Sequence, residues 1–253
     1  MSVRTKNRFI RHGPCSACGS SDARAHYADG SEFCFSCHAV AYPTNAPWAV
    51  REIAEKVVEL KEPYDANYEY SKEALEWCGQ YDITAKELRK HNIKWSRSLE
   101  QLLQVYPNHF DPTKVGCIQA RNFRKNASQR FLNIGDVSKV LPIYYSTSKY
   151  DYIVLVEDAM SAIKVSRQFD AMPLLGSSLS YEKIMILKHS GHGKIFVWLD
   201  HDKYNNALTI AERFKNIGVP TEVICTDLDP KMYDNFQINY QITRFTDDIS
   251  TRP

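Results

Sequence analysis

The chain has 253 residues, a length for one large domain or two small ones at ~150 residues per domain. Hydrophobic residues make up 43% and charged residues 25%, which excludes a collagen-like, mucin-like or wholly disordered chain. With 32 Lys plus Arg against 30 Asp plus Glu the net charge is only +2, so a nucleic-acid role must rest on local charge.

Residues 1–42 carry many small polar residues and too few aliphatics for a core of their own. The basic stretch Met1 to Arg11 is not followed by an apolar signal-peptide core, and no run of ~18 apolar residues occurs anywhere. A cytoplasmic protein without a membrane span is therefore expected. Four of the seven cysteines form two knuckles, Cys15-Ser16-Ala17-Cys18 and Cys34-Phe35-Ser36-Cys37, 15 residues apart. Each knuckle sets two thiolates on one side of a tight turn, and two knuckles complete the four-sulfur tetrahedron that zinc prefers in structural sites. One structural zinc ion is the expectation, two redox pairs the alternative. Gly19 and Gly30 let the chain fold back. Between the knuckles Arg24, His26, Tyr27 and Asp29 suit either contacts to bases or plain solvation. Cys78, Cys117 and Cys225 stand singly and are expected as buried thiols.

Pro43 to Pro47 reads as a linker, and Val50, Ile53, Val57, Val58 and Leu60 among charges suggest a short helix over 48–62. Ser71 caps a helix with Ala74, Leu75, Trp77 and Cys78 on its apolar side, ended by Gly79. Thr84 with Glu87 forms a capping box for a second helix that stops near Asn92. Short alternating runs at Leu102–Tyr106, Val115–Phe123, Phe131–Ile134 and Val140–Tyr145 predict antiparallel strands.

After Tyr150 the pattern changes. Ile153 to Val156 is wholly apolar, as in a parallel strand buried on both faces. A helix follows with Ala162, Ile163, Val165 and Phe169. Then come a strand at Leu174–Leu175, a helix over Tyr181–His189, a strand over Ile195–Leu199, a helix over Asn206–Asn216 and a strand over Glu222–Cys225. This alternation predicts an α/β fold, a parallel sheet with flanking helices. The tail from Tyr233 to Pro253 has no readable motif.

Acids follow three of these strands: Glu157 and Asp158, then Asp200 and Asp202, then Asp227 and Asp229. In an open parallel sheet functional groups gather at the carboxyl ends of the strands. Glu157, Asp200, Asp202 and Asp229 are the candidate ligands of Mg²⁺ or Mn²⁺, because clustered carboxylates repel one another unless cations occupy them. Asp158 also fits a helix N-cap. Residues 112–135 carry Lys114, Arg121, Arg124, Lys125 and Arg130 with no acid, and Phe123 and Phe131 interleave. That segment is the candidate groove for phosphates and single strands.

Val156-Glu157-Asp158-Ala159 and Leu199-Asp200-His201-Asp202 resemble the signature of the Toprim fold, shared by DNA primases, type IA and type II topoisomerases and some nucleases. A four-cysteine ribbon ahead of it is similar to the zinc-ribbon primases of bacteriophage. Three further segments resemble primase cores: Ala74-Leu75-Glu76-Trp77 with Ile83-Thr84 to Asn92-Ile93; Cys117-Ile118-Gln119-Ala120-Arg121-Asn122-Phe123; and Leu175-Gly176-Ser177-Ser178-Leu179. The resemblance implies a ribbon at 1–42, a linker at 43–63, an α+β basic subdomain at 64–150, a Toprim domain at 151–232 and a tail at 233–253. It implies a primase that makes RNA primers for DNA replication from ribonucleoside triphosphates on a single-stranded DNA template. In that reading Glu157, Asp200 and Asp202 are catalytic, and Arg121, Arg124 and Lys125 offset triphosphate charge. A separate replicative helicase and a DNA polymerase are the implied partners. The chain departs from fused primase–helicases in having no Gly-x-x-x-x-Gly-Lys-Ser/Thr motif. In the ribbon loop Asp29 and Ser31 stand where the family commonly places a template-reading polar residue. A metal-dependent Toprim nuclease and a non-catalytic DNA- or helicase-binding adaptor are the competing functions.

Overall fold

The structure, a computed structural model, describes residues 9–28, 30–37, 39–41, 60–124, 127, 130–147, 150–176 and 179–245. The proline-bounded linker at 43–47 and residues 48–59 of the expected helix lie outside them, as do Asp29 and Lys125. Two compact units form, Met1–Val58 and Glu59–Pro253.

In the first unit β1 (Phe9–Gly13), β2 (Arg24–Tyr27), β3 (Glu32–Cys34) and β4 (Val40–Ala41) make an antiparallel meander in that order. Its buried residues, among those described, are Cys15, Ala25, Ser31 and Cys34. So few apolar side chains cannot stabilise a fold by burial alone, and a cross-link or metal has to supply the rest.

The second unit opens with β5 (Ala66–Asn67), α1 (Lys72–Gly79) and α2 (Ala85–Lys90). Ser71 Oγ accepts the Ala74 N–H at 3.1 Å, and Thr84 with Glu87 makes the reciprocal capping box. β6 (Ile93–Ser96), β7 (Gln101–Pro107), β8 (Val115–Arg121) and β9 (Phe131–Gly135) complete a five-stranded antiparallel sheet in the order β5-β6-β7-β8-β9. The strand expected over Val140–Tyr145 does not form. A 3-10 turn covers Val137–Lys139, and Tyr144 alone pairs, as an isolated antiparallel bridge to Ala171.

Next come β10 (Tyr152–Val156), α3 (Ala159–Val165), β11 (Asp170–Pro173), α4 (Tyr181–Lys188), β12 (Lys194–Val197), α5 (Tyr204–Lys215), β13 (Thr221–Val223) and α6 (Asn235–Thr243). The four strands are all parallel, in the order β11-β10-β12-β13. Period-two alternation divides the core. Val154, Val156, Phe196 and Trp198 point to the face shared with α3, α6 and the antiparallel sheet. Ile153, Leu155, Ile195 and Val197 point to the face covered by α4 and α5. Each such side chain stabilises the fold by ~1.5–3 kcal/mol on burial.

The second parallel strand differs from expectation: it covers Asp170–Pro173, and Leu174 and Leu175 lie beyond its end. β11 is an edge strand, where a proline costs no ladder bond on the open side. The tail also differs. Asp234 and Gln237 form a capping box that starts α6, and Ile238 and Ile242 are fully buried. Cys78 and Cys117 are buried as expected, whereas Cys225 is exposed because the chain leaves the sheet after Val223. Among the described residues, no helix is long and apolar enough to cross a membrane.

Candidate functional site

The four knuckle sulfurs converge in the ribbon. All lie within 4.8 Å of one another, with Cys15 Sγ 3.8 Å from Cys37 Sγ and Cys18 Sγ 3.7 Å from Cys34 Sγ. A tetrahedron with metal–sulfur bonds of ~2.3 Å has edges of about 3.8 Å, so the cluster fits one zinc ion. Gly19 (φ +73°) and Gly30 (φ +80°) take the left-handed backbone that the two turns require. Burial alone raises the Cys15 pKa, but the backbone N–H groups of Cys18 and Ala17 aimed at its sulfur lower it to about 6, toward the thiolate a metal needs. Beside the cluster Glu32 pairs with Arg24 at 2.6 Å and with His26 at 3.0 Å. Ser31 is buried in the β2–β3 turn.

In the second unit the chain beyond β10 and β12 delivers Glu157, Asp158 and Asp200, and the loop after β13 brings Asp229, to one place. Asp158 caps α3, its Oδ1 accepting the Ser161 N–H at 2.8 Å. Its Oδ2 lies 3.0 Å from Lys231 Nζ. Burial alone raises its pKa, but Lys231, the Ser161 N–H and Arg121 together hold it below the usual carboxylate range. Glu157 and Asp200 are the opposite case. Burial, then the neighbouring acids, raise both, and Asp200 is pushed up to about 7. Glu157 Oε2 and Asp200 Oδ1 are buried and have no hydrogen-bond partner among the described residues. Asp202 stands at the rim, largely exposed and paired with Lys203 at 2.7 Å.

Two inward carboxylate oxygens without protein partners, in an all-oxygen donor set, suit a hard dication such as Mg²⁺ or Mn²⁺. The carboxylates do not form a closed shell: among the described residues only the four cysteines bring three or more ligand atoms within 4.8 Å of one another. Mg²⁺ tolerates this, since it keeps several waters and takes one or two carboxylates.

Across the cleft stands Arg121, at the end of β8. Its guanidinium lies 3.9 Å from the Phe131 ring centroid and 5.0 Å from that of Trp77, and its buried Nε has no partner among the described residues. Burial lowers its pKa, and the Asp158 and Asp200 charges act the other way. From Arg121 an open groove runs past Trp77, Tyr81, Phe123, Arg124 and Arg130. Trp77 and Phe123 stack at 5.7 Å. Arg124 is held by Glu100 at 2.7 Å.

Lys114 does not join this groove. It sits just ahead of the other end of β8, ion-paired to Asp111 at 2.8 Å, and seven extended residues at ~3.4 Å each separate it from Arg121 by about 24 Å. Sequence reading missed two residues of the cleft, Asn133 and Lys231, and placed Leu175 only within a segment of resemblance. Asn133 of β9 donates to the Leu175 carbonyl at 2.7 Å and accepts from Gln119 at 3.0 Å, tying the two sheets together beside Glu157. Leu175 takes φ +60°, a conformation rare for a bulky side chain and frequent at functional sites. Lys231 enters the acid cluster from the 3-10 turn Pro230–Met232. A lone amide in an apolar strand was a readable signal for Asn133, whereas nothing in the local sequence marked Lys231.

No family model and no curated protein matches the sequence. Among solved structures, the zinc-binding and RNA polymerase domains of the Aquifex aeolicus primase align over 94% of this chain and 78% of that one, with 11% identity and a TM-score of 0.50. The primase fragment of the bacteriophage T7 primase-helicase protein aligns over 94% of this chain and 99% of that one, with 15% identity and a TM-score of 0.47. The RNA polymerase domain of the Mycobacterium tuberculosis primase covers 67% of this chain and 65% of its own, with 13% identity and a TM-score of 0.44. At these identities the likeness concerns fold alone: the chain has the fold of the zinc-binding and RNA polymerase domains of a primase.

Proposed function

We propose that this chain is a DNA primase that synthesises short RNA primers on single-stranded DNA from ribonucleoside triphosphates, for DNA replication in the cytoplasm. The observation that carries the reading is the gathering of Glu157 and Asp200, after two parallel strands, with Asp229 from the loop beyond a third, opposite Arg121, in a chain that also has a four-cysteine ribbon. A helicase and a DNA polymerase are separate partners in this reading.

The reaction is an in-line displacement. A 3′-hydroxyl attacks the α-phosphorus of the incoming nucleotide, a new P–O bond forms, and the α–β bridging bond breaks to release pyrophosphate. Glu157 and Asp200, with Asp202 at the rim, would hold a divalent cation. When bound there, that ion supplies charge stabilisation at the attacking and leaving oxygens. Glu157, whose pKa burial raises, is either a ligand of that ion or the base for the hydroxyl proton. Arg121, held between two rings, offsets triphosphate charge from a fixed position. Arg124 and Arg130, with Lys125, hold strand phosphates, and the Trp77–Phe123 stack receives bases. In the ribbon, Asp29 and Ser31 are the proposed template readers, while Arg24 and His26 are paired with Glu32.

Radiolabelled ribonucleotide incorporation on single-stranded DNA tests the assignment. The zinc-loaded chain with Mg²⁺ makes short RNA. The Asp200→Ala, Asp202→Ala double variant loses at least ~100-fold of that activity. Wild-type activity in the double variant refutes the catalytic assignment, and DNA cleavage without incorporation indicates a nuclease instead.

A further inference from the structure

Lys231 takes no part in the steps above, yet it is the best-enclosed cation of the cleft. Its side chain is 9% exposed, and its Nζ lies 2.8 Å from Asp229 Oδ2, 3.0 Å from Asp158 Oδ2 and 3.8 Å from Asp200 Oδ2. An ammonium group has three donors and no acceptor, and here three carboxylates surround it. A lysine this enclosed persists only where its charge is matched on several sides.

The acids consequently fall into two sets. Asp158 has both oxygens committed, one to the Ser161 N–H and one to Lys231. Asp229 gives Oδ2 to Lys231. Glu157 Oε2 and Asp200 Oδ1 are the buried oxygens left without a partner among the described residues. Asp200 belongs to both sets, with Oδ2 toward the ammonium and Oδ1 free.

We propose that Lys231 is a built-in cation of the metal centre. Its ammonium fills one cation place in the acid cluster, held by Asp158 and Asp229, and leaves Glu157 and Asp200, with Asp202 at the rim, for a single divalent ion. Asp229 is then a lysine partner rather than a metal ligand, which departs from the expectation drawn from its place in the sequence. Lys231 is a positioning residue: it fixes the carboxylate of Asp200 and limits how many ions the cluster accepts. This inference rests on the metal-dependent reading above, so its test counts metal ions rather than products.

Mn²⁺ titration followed by electron paramagnetic resonance, on the full zinc-loaded chain at pH 8, reads the count directly. The wild-type chain binds one Mn²⁺. Lys231→Met binds two, the first at least ~10-fold more tightly, because a positive charge a few ångströms away has been removed. Lys231→Arg and Asp229→Asn each keep the count at one. An unchanged count and affinity in Lys231→Met, or loss of the ion in Asp229→Asn, overturns the proposal while leaving the metal-dependent reading intact. No Mn²⁺ on the wild-type chain overturns both. Should Lys231→Met fail to fold by circular dichroism, the Asp229→Asn count decides alone: one ion upholds the proposal and none refutes it.

Discussion

Asp200 sits where burial and like charge act together. Its folded pKa of about 7 stands well above the ~3.9 of a free aspartate. A carboxyl raised in the folded state stabilises the fold fully below about pH 4, and that contribution is lost as pH rises through 7. A divalent ion requires the ionised form, so below pH 7 it must displace a proton. Mn²⁺ affinity is therefore predicted to fall by up to about tenfold per pH unit between pH 7 and 5.5 and to level off above pH 8. A flat profile over that range contradicts the placement of Asp200 in the metal site. Asp158 answers differently, because it is held below its usual range by Lys231 and the α3 N-terminus. Asp158→Ala removes a cap and strands a buried ammonium, and is predicted to cost ~3–5 kcal/mol in urea unfolding. Asp158→Asn keeps the cap and costs less.

Among the elements, those whose signals are local were legible in the sequence. Ser71, and Thr84 with Glu87, announce α1 and α2 because a cap is a contact within four residues. Thr84→Ala is predicted to cost ~1 kcal/mol. β10 was legible because a wholly apolar run fits a strand covered on both faces. β11 was misplaced because its boundaries follow its register with β10, from Ile153 opposite Asp170 to Val156 opposite Pro173. Leu174 and Leu175, more apolar, serve instead as the turn beside the cleft. α6 also has a local signal, the capping box of Asp234 and Gln237, but its apolar pattern is weak and its value comes from distant partners. Gln168 donates to the Asn235 carbonyl at 2.6 Å and accepts from Asn239 at 2.9 Å. Ile238→Ala or Ile242→Ala is predicted to cost 2–5 kcal/mol as a roughly core-sized cavity, measured by the urea midpoint. A change below 0.5 kcal/mol contradicts the burial of α6.

At the scale of the whole molecule, the net charge of +2 conceals a separation of sign. Arginines line the groove from Arg121 to Arg130, and carboxylates crowd three strand ends. The cysteine spacing alone gave the ribbon, because four thiolates can satisfy one ion in few ways. The acid cluster was legible as a set of strand ends, but not its lysine, since Lys231 and Asp158 are 73 residues apart in sequence. Because Met1–Val58 and Glu59–Pro253 are separate compact units, zinc chelation is predicted to collapse the amide dispersion of β1–β4 while the thermal transition of the larger unit persists. Loss of both together contradicts that independence. The central claim, templated RNA synthesis by this fold, is tested most directly by a priming assay on a panel of single-stranded DNA templates, with the products sequenced, with and without Mg²⁺. The account predicts short RNAs complementary to the template that appear only with the metal. No RNA under any condition, or RNA unrelated to the template, contradicts it.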